Sequence, residues 1–382
     1  MRILVLNYEY PPLGGGAAPV CRQLCELYAA RGHEVQVITM GFRGLPAWEV
    51  LNGVDVTRVP ALRKVQATCE THEMFSYVIS ALPRVIWRLW RNDFAAIHLH
   101  FVIPTGLLAY LATRLKRVPY IITAHGSDIP GYNPDRFKKE HHLTTPLLRR
   151  IMDRAYALTA PSLFLKGLML STCGAYEIAH IPNGIFVGRF QPQAKQKRIL
   201  MTGRLLPRKG FHTVLLALQG MDACFEVHIA GDGPDRERME ATARTLSMPV
   251  RFHGWLEHGD PRLQELYESS MIFCLPSSRE NASISLLEAM LAGMAVVTSN
   301  VTGCPETVGD TGRVVSPDDV EGLRTVLSEL MGSPEKCEAM GQRARARVLD
   351  EFDWEKIADG YLNLISDAAK SAKRNTETTN TP

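Results

Sequence analysis

The sequence predicts an α/β fold made of two Rossmann-like, doubly wound parallel-sheet domains facing a cleft. Three observations carry that prediction. At 382 residues the chain is longer than the roughly 250–300 residues at which single cores stop growing. Short β-branched runs alternate with helical stretches, the spacing of right-handed strand–helix–strand crossovers. The alternation also breaks near Pro182 to Lys197 and then restarts.

In the first half, strands are expected at 2–7, 34–39, 54–59, 96–100, 120–124, 157–160 and 177–181, with helices at 17–31, 73–91, 105–116 and 162–171. Ile181-Pro182-Asn183-Gly184 ends the last of these strands, and Phe190-Gln191-Pro192-Gln193-Ala194-Lys195 reads as a polar linker. Strands then recur at 198–202, 226–230, 250–252, 271–275, 295–298 and 313–315. The expected division is 1–185, 186–353, a helix at 354–370 and a disordered tail at 371–382, where no apolar residue exceeds alanine in size. Ligands of such sheets bind at the carboxyl ends of the strands.

The chain is 46% hydrophobic and 22% charged with net charge +3, an ordinary globular composition that gives no reason to expect a nucleic-acid partner. No stretch reaches the ~18–20 apolar residues of a membrane span; Phe101 to Ala112 is too short and contains Pro104. The N-terminus enters directly into Arg2-Ile3-Leu4-Val5-Leu6, a strand pattern rather than a signal peptide. Eight scattered cysteines without a CxxC pair read as buried free thiols in a reducing cytoplasm.

Chemistry concentrates in the stretch from Ser278 to Val297. A strand ends at Leu275, a loop follows, and a helix is expected to open near Ala282 or Ser283. Glu280 then sits at or just before the helix start, with Glu288 about two turns on, near the same face. The free N–H groups of the first turn point at whatever occupies the strand end. One carboxylate can accept from a sugar hydroxyl, and the deeper one can hold a ribose diol. The spacing also allows a plainer arrangement, a dipole-favoured charge at Glu280 and a solvated Glu288. Against it stand Leu286, Leu287, Ala289 and Met290, since a carboxylate in a nearly apolar helix normally needs a reason.

Glu280-x7-Glu288-Ala289-Met290, followed by Ala292-Gly293 and Val296-Val297, resembles the EX7E signature of the family 4 retaining glycosyltransferases of the GT-B fold. Further segments are similar in family order: Pro11-Pro12-Leu13-Gly14-Gly15-Gly16, Thr123-Ala124-His125-Gly126, Ile181-Pro182-Asn183-Gly184-Ile185, Gly203-Arg204-Leu205 with Lys209-Gly210, Ile229-Ala230-Gly231-Asp232-Gly233-Pro234, Gly254-Trp255 and Gly303-Cys304-Pro305-Glu306. Asn281 and Ser283 stand where the family often has glycine, and Met294 where it often has proline.

The resemblance implies a C-terminal helix that returns to the first domain. It also implies a donor site formed by Gly15, Gly16, Arg204, Lys209, Gly254, Trp255, Glu280, Asn281, Ala282, Ser283, Ile284 and Glu288. His125, Glu280, Arg204 and Lys209 would be catalytic, with Asp128 beside His125. The implied substrates are a nucleoside-diphosphate sugar and a saccharide, lipid-linked or small-molecule acceptor, with no metal and no cofactor. Arg204 and Lys209 can neutralise the leaving phosphate, in a sequence that contains no Asp-x-Asp. A nucleotide-sugar epimerase or sugar phosphorylase would share the architecture. An NAD-dependent oxidoreductase is disfavoured, because no GxGxxG with a following acidic residue appears after a strand. A non-catalytic binding protein would have no need to keep both cations and both glutamates.

Arg84-Val85-Ile86-Trp87-Arg88-Leu89-Trp90-Arg91 mixes tryptophan and arginine on a predicted helix. Arg136, Lys138, Lys139, His141, His142, Arg149 and Arg150 follow in the same domain. The simpler expectation packs Trp87 and Trp90 into the core with the arginines outside. The alternative is peripheral contact with an anionic bilayer, on the cytoplasmic face, to reach a lipid-linked acceptor.

Overall fold

The computed structural model describes residues 1–66, 68–133, 138–222 and 224–379. The side chains of 138–143 and 375–379 fall outside that description. Arg136 is therefore not described, nor are the side chains of Lys138, Lys139, His141 and His142. Two compact units result: Met1–Pro182 together with Trp354–Pro382, and Asn183–Asp353.

The first unit contains one sheet. Its strands are β1 (Arg2–Leu6), β2 (Glu34–Met40), β3 (Trp48–Leu51), β4 (Val54–Val59), β5 (Ala96–His100), β6 (Tyr120–Thr123), β7 (Ala157–Ala160) and β8 (Ile178–His180). They lie in the order β3-β4-β2-β1-β5-β6-β7-β8. All neighbours pair in parallel except β3, which runs antiparallel to β4 at the edge. This strand was not expected; four residues at an edge carry too little alternation to declare themselves.

Alternation along β1 divides the core. Leu4 and Leu6 join a cluster with Tyr77, Ala81, Val85 and Leu89 of helix Thr71–Arg91. Ile3 and Val5 join another with Val20, Leu24 and Tyr28 of helix Ala17–Ala30. That second cluster also takes in Trp354, Ile357, Tyr361 and Ile365, so the final helix, Trp354–Thr379, packs into the first unit. Covering both faces explains the near-continuous apolar runs of the parallel strands. Residues 371–379 continue this helix rather than forming the expected disordered tail, and 380–382 lie outside the described residues.

Trp87 and Trp90 correct the simpler expectation. They are 47% and 68% exposed, because the stripe through Tyr77, Ala81, Val85 and Leu89 is the one that faces the sheet.

The second unit has strands β9 (Gln196–Thr202), β10 (Glu226–Ala230), β11 (Val250–Gly254), β12 (Ser270–Leu275), β13 (Ala295–Ser299) and β14 (Arg313–Val315). Their order is β11-β10-β9-β12-β13-β14, all parallel. The order reverses direction beside β9, so the carboxyl ends of β9 and β12 form the switch point where ligands of open sheets bind. Among the described residues no helix is long and apolar enough to cross a membrane. All eight cysteines are free, and Cys224 alone among them is exposed.

Candidate active site

In the second unit the loop after β9 and the loop after β12 meet at one ion pair. Lys209 Nζ lies 2.5 Å from Glu280 Oε1, both side chains largely buried. Two hydrogen bonds fix the loops: Ser278 N donates to Arg208 O at 2.8 Å, and the Arg208 side chain donates through Nη1 to Arg279 O at 3.0 Å. Gly303 N donates to Glu280 O at 2.9 Å, an approach that requires glycine, since a Cβ there would stand 1.5 Å from Asn281 O. Gly231 plays the same part after β10, where a Cβ would stand 1.9 Å from Gly203 O. Arg204, one residue past that contact, is exposed and has no ion pair among the described residues.

The helix after β12 is Ile284–Leu291 with Ser283 at its N-cap. Glu280 is therefore in the preceding loop and not on the helix, and the loop rather than helical periodicity sets its aim. Asn281, Ala282 and Ser283 form the turn between them. Ala282 O accepts from Asn183 Nδ2 at 3.1 Å, and the Ser283 and Ser285 hydroxyls lie 3.0 Å apart. The first-turn N–H groups, beginning with Ile284, have no acceptor within the helix.

Glu288 is 3% exposed, which excludes a solvated role. Tyr267 Oη donates to its Oε2 at 2.8 Å, and the same hydroxyl lies 2.6 Å from Thr202 Oγ1 at the end of β9. Oε1 lies 2.7 Å from Arg189 Nη1 and 3.5 Å from His258 Nδ1, yet it receives no well-aligned hydrogen bond among the described residues. Burial pushes the carboxyl up. The facing His258 imidazole, the Arg189 charge and the Tyr267 hydroxyl together outweigh burial and hold it below its ordinary value. Glu288 is thus a buried, ionised acceptor with a lone pair still available. Gly254, at the end of β11 with φ +69°, precedes Trp255, which is exposed and donates to Glu257.

The remaining sequence-predicted residues belong to the first unit. Gly15 and Gly16 lead into helix Ala17–Ala30, with Gly15 N donating to Glu9 Oε2 at 3.3 Å. His125 follows β6. Its Nε2 lies 3.0 Å from His100 Nδ1, the rings stacked, and burial pulls its pKa down to about 3. Asp128 accepts from the backbone N–H groups of Val102, His125 and Gly126 at 2.7, 3.1 and 2.9 Å. Its role is to fix the loop that carries His125.

Sequence reasoning missed Arg189, Tyr267 and His258 around Glu288, and His100 behind His125. Only the His98-x-His100 alternation, which puts both imidazoles on one face of β5, signalled any of them. Among the described residues no group of three or more His, Cys, Asp or Glu is arranged to hold a metal ion.

Two family models match end to end. One described as Glycosyltransferase Family 4 covers residues 14–189, and one described as Glycosyl transferases group 1 covers 187–347. A protein named glycogen synthase from Mycobacterium tuberculosis is 28% identical over 98% of this chain and 96% of its own length. A GDP-mannose-dependent monoacylated alpha-(1-6)-phosphatidylinositol monomannoside mannosyltransferase from Corynebacterium glutamicum is 26% identical over 95% and 97%. Among solved structures, sucrose-phosphate synthase from Thermosynechococcus elongatus matches with TM-score 0.82 at 20% identity, over 97% of this chain and 99% of that one. HepE from Anabaena, solved in complex with UDP-glucose, matches with TM-score 0.73 at 18% identity, over 96% and 100%. The fold is GT-B, and with both halves matched in order the chain belongs to the family 4 glycosyltransferases.

Proposed function

We propose that the chain moves a sugar from a nucleoside-diphosphate sugar to a saccharide, lipid-linked or small-molecule acceptor, with retention of anomeric configuration, without a metal and without a cofactor beyond the donor. The observation that carries this reading is the pairing of Lys209 with Glu280, beside an unpaired Arg204 and ahead of the ionised Glu288. Three relatives or neighbours bear names or titles that fit it: a glycogen synthase, a GDP-mannose-dependent enzyme and a structure holding UDP-glucose.

Breaking the donor's glycosidic C–O bond sends its electron pair to the departing diphosphate and leaves positive charge on the sugar ring. Arg204 and Lys209 stabilise that diphosphate, helped by the first-turn amides of helix Ile284–Leu291; fixed donors serve best where charge develops. The acceptor oxygen bonds the anomeric carbon on the face the phosphate leaves, and its proton passes to the leaving phosphate oxygen. Glu280 accepts from a sugar hydroxyl while holding the Lys209 ammonium in place. Glu288 accepts from the ribose diol through Oε1, whose lone pair is the unsatisfied one. Glu280 and Glu288 are binding carboxylates, so the carboxylate-separation rule of glycosidases does not apply to them. His125, kept neutral, orients a sugar hydroxyl. Gly15 and Gly16 allow a close backbone approach, and the Gly254–Trp255 turn lies against the base.

The test is the anomeric configuration of the product by NMR, from a reaction run in excess chelator. The expected product has the donor's configuration and forms at an undiminished rate. Inversion, a rate abolished by chelation, or epimerisation of the donor without an acceptor would each contradict the proposal.

A further inference from the structure

Helix Thr71–Arg91 carries an apolar stripe that none of the described residues covers. Phe75 and Ile79 are 63% and 61% exposed, and at 3.6 residues per turn they align with the exposed Trp87 and Trp90 over a length of about 22 Å. Arg84, Arg88 and Arg91 flank the stripe, their guanidinium carbons 5.9, 5.6 and 5.8 Å from the Trp87 ring centroid. Isolated exposed apolar residues need no explanation, but a contiguous stripe edged by arginines does.

The N-terminal end of the same helix borders a groove of about 1140 Å³ at the carboxyl ends of β2 and β4. Its lining includes Arg43, Lys64, Arg84 and His72, together with Arg58 and Arg63, which are buried and paired with Glu49 and Glu9. Arg43 and Lys64 are exposed and make no ion pair among the described residues. Arg63 is buried and ties the groove to the glycine loop: its Nη2 donates to Gln66 O at 2.9 Å, and the same carbonyl accepts from Gly14 N at 2.8 Å. Arg58 Nη2 reaches Pro11 O in that loop at 3.4 Å.

We infer that this surface takes an acceptor presented by a membrane: a lipid with a phosphate-bearing headgroup. The helix lies in the bilayer interface with Phe75, Ile79, Trp87 and Trp90 among the acyl chains, and the headgroup phosphate enters the groove. Charge complementarity selects this occupant, because an apolar stripe bordered by cations fits an anionic bilayer better than a neutral one or a second copy of the same cationic face. Naming the lipid as acceptor rests on the transferase reading; the surface itself does not.

The test is co-sedimentation of the full chain, at low salt, with vesicles of phosphatidylglycerol and phosphatidylcholine or of phosphatidylcholine alone. Strong binding to the mixed vesicles and weak binding to the neutral ones is expected. Ile79→Ser with Trp90→Ser should lose both. Arg43→Gln with Lys64→Gln should lower partition to the anionic vesicles about twenty-five-fold, at about fivefold per charge. All four positions are exposed, so each variant should keep the wild-type melting temperature and its shift on adding nucleotide sugar. That control separates the two readings, since loss of donor binding leaves sedimentation intact. Equal binding to both vesicle types, or wild-type binding by the variants, would overturn the inference. So would a concentration-dependent dimer that the serine variant abolishes without any vesicle binding.

Discussion

The strand ends of the two sheets treat charge in opposite ways. In the second unit they carry it: Lys209 paired with Glu280, an unpaired Arg204, and Glu288 held ionised although buried. In the first unit β5 and the end of β6 withhold it: burial keeps the His98, His100 and His125 imidazoles neutral, the first and last with pKa values near 3. The difference teaches that one glycosyltransferase divides its labour along the chain. On the proposed transfer, permanent charge stands where the diphosphate would leave, and neutral hydrogen-bonding groups stand where the sugar would be oriented.

Removing a cation should show the largest effect. Lys209→Ala or Arg204→Ala is expected to cut turnover roughly 10²–10³-fold, the usual loss for one fixed donor at a developing anion, with donor affinity changed far less. Release of the nucleoside diphosphate at saturating donor measures it. A pure affinity effect would break the comparison. Next comes Glu288→Gln, which keeps the volume but removes the ionised acceptor. Donor affinity should weaken roughly tenfold to a hundredfold, as for a lost hydrogen bond to a charged group, while saturated turnover changes little; titration calorimetry reads the first and kinetics the second.

Acid should then distinguish the units. A buried neutral histidine has a folded pKa below its unfolded one, so the unfolded state binds more protons and stability falls as pH drops from about 6.5 towards 3. Each of His98 and His125 should contribute about 1.4 kcal/mol per pH unit in that window. Glu288, also depressed, contributes stability that is lost only below the ordinary carboxylate value of 4.5. Melting temperature against pH should therefore begin to fall near pH 6.5, and less steeply in His98→Gln. A profile flat down to pH 5 would contradict the neutral cluster.

The smallest effect concerns the returning helix. Arg31 pairs with Glu355 at 2.8 Å and Asp359 at 3.3 Å, both acidic partners being more than half exposed. Arg31→Met should cost under about 1 kcal/mol, whereas Tyr361→Ala in the core should cost about 3–5 kcal/mol. Denaturant unfolding of both variants checks that apolar burial, not charge, holds this helix in the first unit.

Much of this was legible in the sequence because its signals are short in range. A strand followed by glycine and a cation, or by a glutamate before an apolar helix, states its geometry within a dozen residues, so Arg204, Lys209, Glu280 and Glu288 could be singled out. The partners of Glu288 could not: Arg189 sits just before what reads as a polar linker and His258 in a loop, and only tertiary packing brings them to one carboxylate. Trp87 and Trp90 were misjudged for a related reason. Helix Thr71–Arg91 has apolar residues on several faces, and only the sheet beneath it decides that Val85 and Leu89 are buried while the tryptophans are left out. Glu280 lies just before the helix, whose N-cap is Ser283, one of the two positions expected for its opening.

The central claim, that the second unit binds a nucleoside-diphosphate sugar through these charges, is tested most directly by a thermal-shift panel of UDP-, GDP- and ADP-sugars in the presence of chelator. One donor base should stabilise the protein by about 2.7 kcal/mol at a hundredfold excess over its dissociation constant, and Glu288→Gln should need far more of the same donor for the same shift. No stabilisation by any of the three, or equal stabilisation of the wild type and the Glu288→Gln variant, would contradict it.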